Sequence, residues 1–355
     1  MASVAPIYPE SMAATDSSPA TPPAPNAALI AARDAAVVCD LAPLAILAIS
    51  GPDAAAFLQG QLSSDVPALE PDFAQFTTFN SPKGRMLANF VLWREGPDDF
   101  RALLPGDLAA PVRKRLAMFV LRSKVTLADL SDDTARFGVG GPKAAEALRA
   151  AFGEAPGTLA VVRADGATLL GLPGPRYMVL APVATAAAVS ERLAREAVLA
   201  PFAAWQWLTI RAGVPVVTAP VQDQLIAQAA NLDVLGGINF RKGCYTGQEI
   251  IARMQYLGKL KERLFAFHVD ATSVAAGTRL FGQAFGDQAC GIVVNAAPAP
   301  EGGCDLLAVA QLAAVAAGAL HLGAPEGPTL SPRTLPYAVP PPEPGRGRIG
   351  TPLSL

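Results

Sequence analysis

The chain has 355 residues, 51% hydrophobic and 16% charged, with a formal net charge of −2. That length holds two or three domains with buried cores, and the charge balance gives no sign of a protein that coats nucleic acid or lies on a membrane through a basic face, though it leaves a local basic patch open. Cys39, Cys244, Cys290 and Cys304 fit neither a disulfide framework nor a paired metal knuckle, and His268 and His321 form no metal-binding pair. Such thiols point to the reducing cytoplasm. A cluster held by all four cysteines stays open, with no close ligand spacing in its favour.

Residues 1–29 are rich in Ala, Pro and Ser, with Glu10 and Asp16 but no Lys or Arg. They lack the basic start and apolar run of a secretory signal and the arginines of a mitochondrial presequence, so they read as a disordered tail. A two-module region is expected over 30–261. AAVVCDLAPLAILAISGPDAAAFLQGQLSSDV (35–66) reads as strand, turn and helix, with Asp53 placed to cap the helix. FAQFTTFNSPKGRMLANFVLWR (73–94) reads as two strands around a tight turn at Ser81, Pro82, Lys83 and Gly84. A strand at 100–105, a helix over 108–122 and a strand at KVTLADLS follow.

The second module opens near 130–140. It holds FGVGG (137–141), a helix around 143–152, LAVVRADG, RYMVLAP, a helix over 183–199 and WQWLTIRAGVPVV (205–217). Strands joined by hairpins and interleaved with helices indicate an α+β fold. No GxGxxG follows a strand and no GxxxxGKS/T occurs, which argues against dinucleotide and P-loop sites. Over 262–324, short strands separated by Gly and Asp read as a small β-barrel domain. Within it, LLAVAQLAAVAAGALHL (306–322) is alanine-rich, is interrupted by Gln311 and His321, and falls short of the ~20 apolar residues of a membrane span. No membrane association is expected. Residues 325–355, with PPPEPGRGR, read as a second disordered tail.

NFRKGCYTGQEII (239–251) stands apart. Thr246, Gly247, Gln248 and Glu249 fit a T-x-x-E capping box, and Ile250, Ile251, Met254 and Leu257 mark one helical face. Glu249 and Arg253 stand four apart, a favourable pair, and Gly258 offers a stop. Cys244 falls two residues before that N-cap. The positive end of the helix dipole, Arg241 and Lys242 all favour thiolate over thiol there. Gly243 and Gly247 leave room for a ligand or partner. A packing cysteine beside a turn is the plain alternative, and with no histidine near in sequence a Cys–His hydrolase is disfavoured.

The segment NLDVLGGINFRKGCYTGQEIIARMQYLGKLKERL (231–264) resembles the signature of the YgfZ proteins, folate-binding relatives of the glycine-cleavage T-protein, or aminomethyltransferase. The run from Lys242 through Gly243, Cys244, Tyr245, Thr246, Gly247 and Gln248 to Glu249 carries most of the likeness. It extends to 49–66, FNSPKGRMLANFVLWR, WQWLTIRAGVPVV and CGIVVNAA (290–297), covering most of 35–325. The resemblance implies intertwined α+β folate-binding modules followed by a small β-barrel, with tetrahydrofolate or a one-carbon derivative in a central channel. It also implies a role in making or repairing iron–sulfur enzymes, some of which modify tRNA. Iron–sulfur client proteins or assembly factors would be the partners, with no direct contact to nucleic acid and the chain a monomer. Cys244 matches the cysteine on which the family's function depends.

The likeness also marks departures. T-proteins carry acids after a Gly-Gly turn, where this chain has Ala88 and Asn89, and a glutamate before Ala-Gly, where it has Arg211. An arginine only donates, so it cannot accept the pterin's amino protons as a carboxylate does. These losses argue against ordinary aminomethyl transfer; a folate-dependent transferase or demethylase and a non-catalytic binding or scaffold module stay as rivals. Some relatives place an aromatic where this chain has Leu44. Trp205 then becomes the expected stacking platform for a flat ring, with an ordinary core tryptophan as its alternative. Asn80, Lys83 and Arg85 lie on a hairpin expected to face the channel, with a solvated turn as theirs. Arg85, Arg241 or Lys242 would steer the anionic glutamate tail.

Overall fold

The computed structural model describes residues 25–340. Helix α1 (Pro25–Asp34) begins inside the segment expected to be tail and buries Ala28, Leu29 and Ala32 on one face. Residues 1–24, the rest of that segment, lie outside the described residues. There follow β1 (Val37–Asp40), β2 (Leu44–Ser50), α2 (Ala54–Gln61), β3 (Ala74–Asn80), β4 (Met86–Gly96), β5 (Asp99–Pro105), α3 (Gly106–Ala117) and β6 (Thr126–Asp129). The chain then continues through β7 (Thr134–Gly140), α4 (Ala144–Phe152), β8 (Val161–Ala164), β9 (Ala167–Leu172), β10 (Arg176–Pro182), α5 (Ala186–Ala194), β11 (Val198–Ala200) and α6 (Phe202–Arg211).

One sheet runs β3-β4-β5-β2-β6 and the other β11-β1-β7-β10-β9-β8. Strand β1, first in the chain, thus lies inside the second sheet, antiparallel to β7 and parallel to β11. This interleaving makes the region α+β with shared parts rather than two beads on a string. Helix α4 ends on Gly153 at φ 76, the left-handed C-cap that glycine adopts without Cβ strain. Asp53 stands at the start of α2 but does not cap it. Its carboxylate accepts the Lys124 amide at 2.7 Å instead, tying the helix start to the loop after α3. The helix expected over 183–199 is shorter, because 198–200 leaves it to pair with β1.

After a segment over 212–247 that contains no strand and no α-helix come α7 (Gln248–Tyr256), β12 (Glu262–Val269), β13 (Arg279–Gly282), β14 (Gly291–Pro298), β15 (Cys304–Gln311), α8 (Leu312–Ala317), β16 (Leu320–Leu322) and β17 (Thr329–Arg333). Strands β12-β15-β14-β13-β16-β17 close a barrel. Closure requires β17, which pairs with β12 and β16, so the segment expected to be a tail from 325 supplies a strand that removes two open edges. Tyr337 continues this attachment by donating to the Gly213 carbonyl at 2.7 Å. Residues 341–355 lie outside the described residues. The alanine-rich run 306–322 divides among β15, α8 and β16, and among the described residues no helix is long and apolar enough to cross a membrane.

One large core joins the five-stranded sheet, the inner face of the six-stranded sheet, α6 and one side of the barrel. A second lies under α4 and α5, and a third fills the barrel. Helix α6 binds these parts together: Trp207 donates to the Asp305 carboxylate at 2.9 Å, and that carboxylate also meets His268 at 2.9 Å.

Candidate functional site

A cavity of about 580 Å³ opens where both sheets, α6 and the barrel meet. Its walls come from β4 and β5 (Asn89, Phe90, Val91, Leu104), β10 (Arg176, Met178), α6 (Phe202, Trp205, Gln206, Thr209), the segment 214–220, and the barrel (Asn295, Ala296). The periodicities explain the lining. Phe202, Trp205, Gln206 and Thr209 recur at helical spacing and share one face of α6, while Arg176 and Met178 share one face of β10. The volume suits a small-molecule site, where roughly 300–1,000 Å³ is usual.

The two asparagines on the wall are structural clamps. Asn89 donates to the Pro215 carbonyl and accepts the Val217 amide, both at 2.8 Å. Asn295 exchanges both of its bonds with Val216, also at 2.8 Å. Together they fix the 215–217 wall. Among the described residues the only acidic side chain on the lining is Asp107, exposed, with one oxygen accepting the Ala219 amide at 3.0 Å.

Arg176 is the group that the sequence reading missed. It is 2% exposed. Its Nε donates to the Pro173 carbonyl at 3.0 Å and its Nη1 to the Thr209 hydroxyl at 2.7 Å, while Nη2 has no partner. Among the described residues no carboxylate pairs with it, and burial pushes its pKa down, though a guanidinium stays cationic at neutral pH. The Thr218 hydroxyl, also on the cavity wall and buried, lacks a partner too. A signal was present in RYMVLAP: an arginine in the inward phase of an otherwise apolar strand.

Trp205 lines the wall, 4% exposed, with the Arg176 guanidinium 5.3 Å from its ring centroid. Gly138 makes room for that ring, since a Cβ there would stand 2.5 Å from it. Leu44 also lines the cavity and offers no ring. The structure does not bring Asn80, Lys83 or Arg85 to the wall. Asn80 is buried and donates to Thr78 at 2.8 Å, Lys83 is exposed on the turn, and Arg85 donates to the Gln224 carbonyl. The hairpin tip abuts 223–226 instead, through Met86, Leu225 and Asp223, and the start of α7 through Gly84, which lies against Ile250 and Gly247. Arg211 is exposed at the end of α6, off the lining.

Cys244 is exposed, whereas Cys39, Cys290 and Cys304 are buried. It does not line the cavity, and neither does any residue of 241–253. The loop is held by Asn239, which accepts the Arg241 and Lys242 amides at 2.8 and 3.1 Å, and by Lys242. The Lys242 ammonium donates to the carbonyls of Gln59, Leu62 and Ser64 at 2.7, 2.6 and 2.8 Å, and lies 5.0 Å from the Tyr245 ring centroid. Burial pushes this lysine down to about 8 and Tyr245 up to about 12. Expected to face the thiol or a ligand, Lys242 is consumed by backbone acceptors. Arg241 remains exposed.

The capping box is not made. Helix α7 starts at Gln248, and the residue before it is Gly247 at φ 82, with no side-chain cap from Thr246. The Gln248 side chain instead reaches back toward the Lys242 carbonyl at 3.5 Å. A Cβ on Gly247 would stand 2.5 Å from the Ser81 carbonyl oxygen, so this glycine gives room to the β3–β4 turn rather than to a ligand. Beside Gly243 the space is open. Glu249 and Arg253 are both exposed and form no ion pair, and of the predicted helical face only Ile251 is deeply buried. Ile250 and Leu257 are exposed, one in the first turn of α7 and one just past its end.

Residues 11–169 match the family described as the GCVT N-terminal domain. The chain is 37% identical over 248 residues to the tRNA-modifying protein YgfZ of Cronobacter sakazakii, covering 69% of this chain and 75% of that one. The chain belongs to the YgfZ family. The Escherichia coli YgfZ is 36% identical, with 69% and 76% covered. The crystal structure of glycine cleavage system aminomethyltransferase T from Bartonella henselae superposes with a TM-score of 0.72 over 88% of this chain and 89% of that one. At 17% identity that likeness shows the fold alone. Within this YgfZ chain, the thiol loop and the cavity meet different parts of one hairpin. Gly247 approaches Ser81 and Gly84 at the β3–β4 turn, and Asn89 lines the cavity about 10 Å along β4 from Met86.

Proposed function

We propose that this YgfZ-family chain is a tetrahydrofolate-binding accessory protein of tRNA modification, serving the synthesis or repair of iron–sulfur enzymes in the cytoplasm through Cys244. The observation that carries the reading is the cavity: apolar walls, an aromatic ring and one unpaired guanidinium, within a fold shared with a T-protein. A flat heterocycle fits the apolar depth, and the exposed rim at Gln206 and Asp107 leaves an anionic tail in water. Cys244 is solvent-facing in a loop with the exposed Arg241 and with open space beside Gly243, which leaves it accessible to a client protein.

Aminomethyl transfer is the rival that the fold suggests. Ala88 is fully buried and Asn89 spends its amide on the backbone, so neither position offers a base to the cavity. Calorimetric titration of the purified protein with tetrahydrofolate tests the proposal. Saturable binding without turnover of a methylamine donor is expected. Absence of binding removes the cofactor from the account, and turnover revives the transferase.

A further inference from the structure

The cavity is unusual in what its buried polar groups can read. Arg176 carries a donor, Nη2, that no atom among the described residues accepts, on a side chain that is 2% exposed. The unpaired Thr218 hydroxyl accompanies it on the wall. The one carboxylate on the lining, Asp107, is at the exposed rim and already engaged. A buried donor of this kind is costly until an acceptor arrives, and a ligand supplying one recovers that cost on binding.

We propose that Arg176 is a specificity-determining residue that selects a heterocycle presenting an oxo oxygen to the buried end of the cavity. The assignment rests on the folate reading above and deepens it. A pterin has two kinds of edge: donors at the 2-amino group and an acceptor at the 4-oxo group. A carboxylate reads the first; a guanidinium, which only donates, reads the second. Trp205 meets the guanidinium on one side and Thr209 on another, leaving Nη2 as the one nitrogen with no partner among the described residues. The glutamyl tail stays toward the rim, because burying its two carboxylates against one cation would leave a charge unpaired.

Folic acid and aminopterin provide the test, since they differ only in a 4-oxo against a 4-amino group. The wild-type protein should bind folic acid about ten- to a hundredfold more tightly, the loss expected when a donor faces a donor instead of an acceptor. Arg176→Met should lower the affinity for folic acid and bring the two ligands together, while its melting curve reports whether it folds. If that variant does not fold, the wild-type ratio still decides. Equal affinity of the wild type for the pair, or a preference for aminopterin, overturns the role of Arg176 and leaves folate binding intact. Binding of neither folic acid nor tetrahydrofolate overturns the folate reading itself.

Discussion

Lys242 and Cys244 are two residues apart and have opposite fates. The lysine's three N–H donors are matched to three carbonyls near the end of α2, some 180 residues away in sequence. That pairing could not be read from a linear basic pair. The cysteine's exposure could, since glycines and polar groups surround it in the motif. Burial pushes Cys39 up to about 12 and raises Cys290 and Cys304 as well. Those three thiols should therefore stay protonated and shielded at about pH 8. Iodoacetamide should add one group to the native protein, at Cys244, and four after denaturation, as read by intact mass. Labelling of a buried cysteine before Cys244 would contradict the arrangement. In cells lacking the endogenous relative, Cys244→Ala should fold normally and fail to restore modified tRNA; full rescue would refute the thiol's role.

At the scale of elements, the start of α7 rests on glycine rather than on a threonine cap. Gly247 combines a positive φ with a 2.5 Å approach to Ser81, and Gly84 gives similar room to Ile250. Gly247→Ala should cost about 1–2 kcal/mol for the left-handed backbone alone, and more for the clash. Gly243→Ala, in open space, should be nearly silent. Limited proteolysis of 248–256 separates the two, and equal susceptibility would contradict the docking. The β3–β4 hairpin and the end of α7 near Gly258 were legible from turn and stop residues. The capping box was not a reliable guide, because tertiary contact with the hairpin sets the backbone at Gly247. Strand β17 was hidden by a proline-rich composition, and only barrel closure explains it.

At the scale of the whole molecule, the cavity exists because three units share one core. Strand β1 sits inside the second sheet, Asn89 and Asn295 clamp the same short segment from two units, and Trp207 reaches Asp305 in the barrel. The α+β class and the barrel could be inferred from patterning and resemblance. A central channel was implied by the resemblance alone; its polar residue, Arg176, was marked only by an arginine in the inward phase of an apolar strand, a signal easily passed over. A ligand at this junction should slow local opening of every wall it touches. Hydrogen–deuterium exchange with and without tetrahydrofolate is the most direct measurement of that claim. Protection is expected in peptides spanning 86–91, 176–178 and 202–218, with little change over 241–257. No protection, or protection confined to the thiol loop, would contradict it.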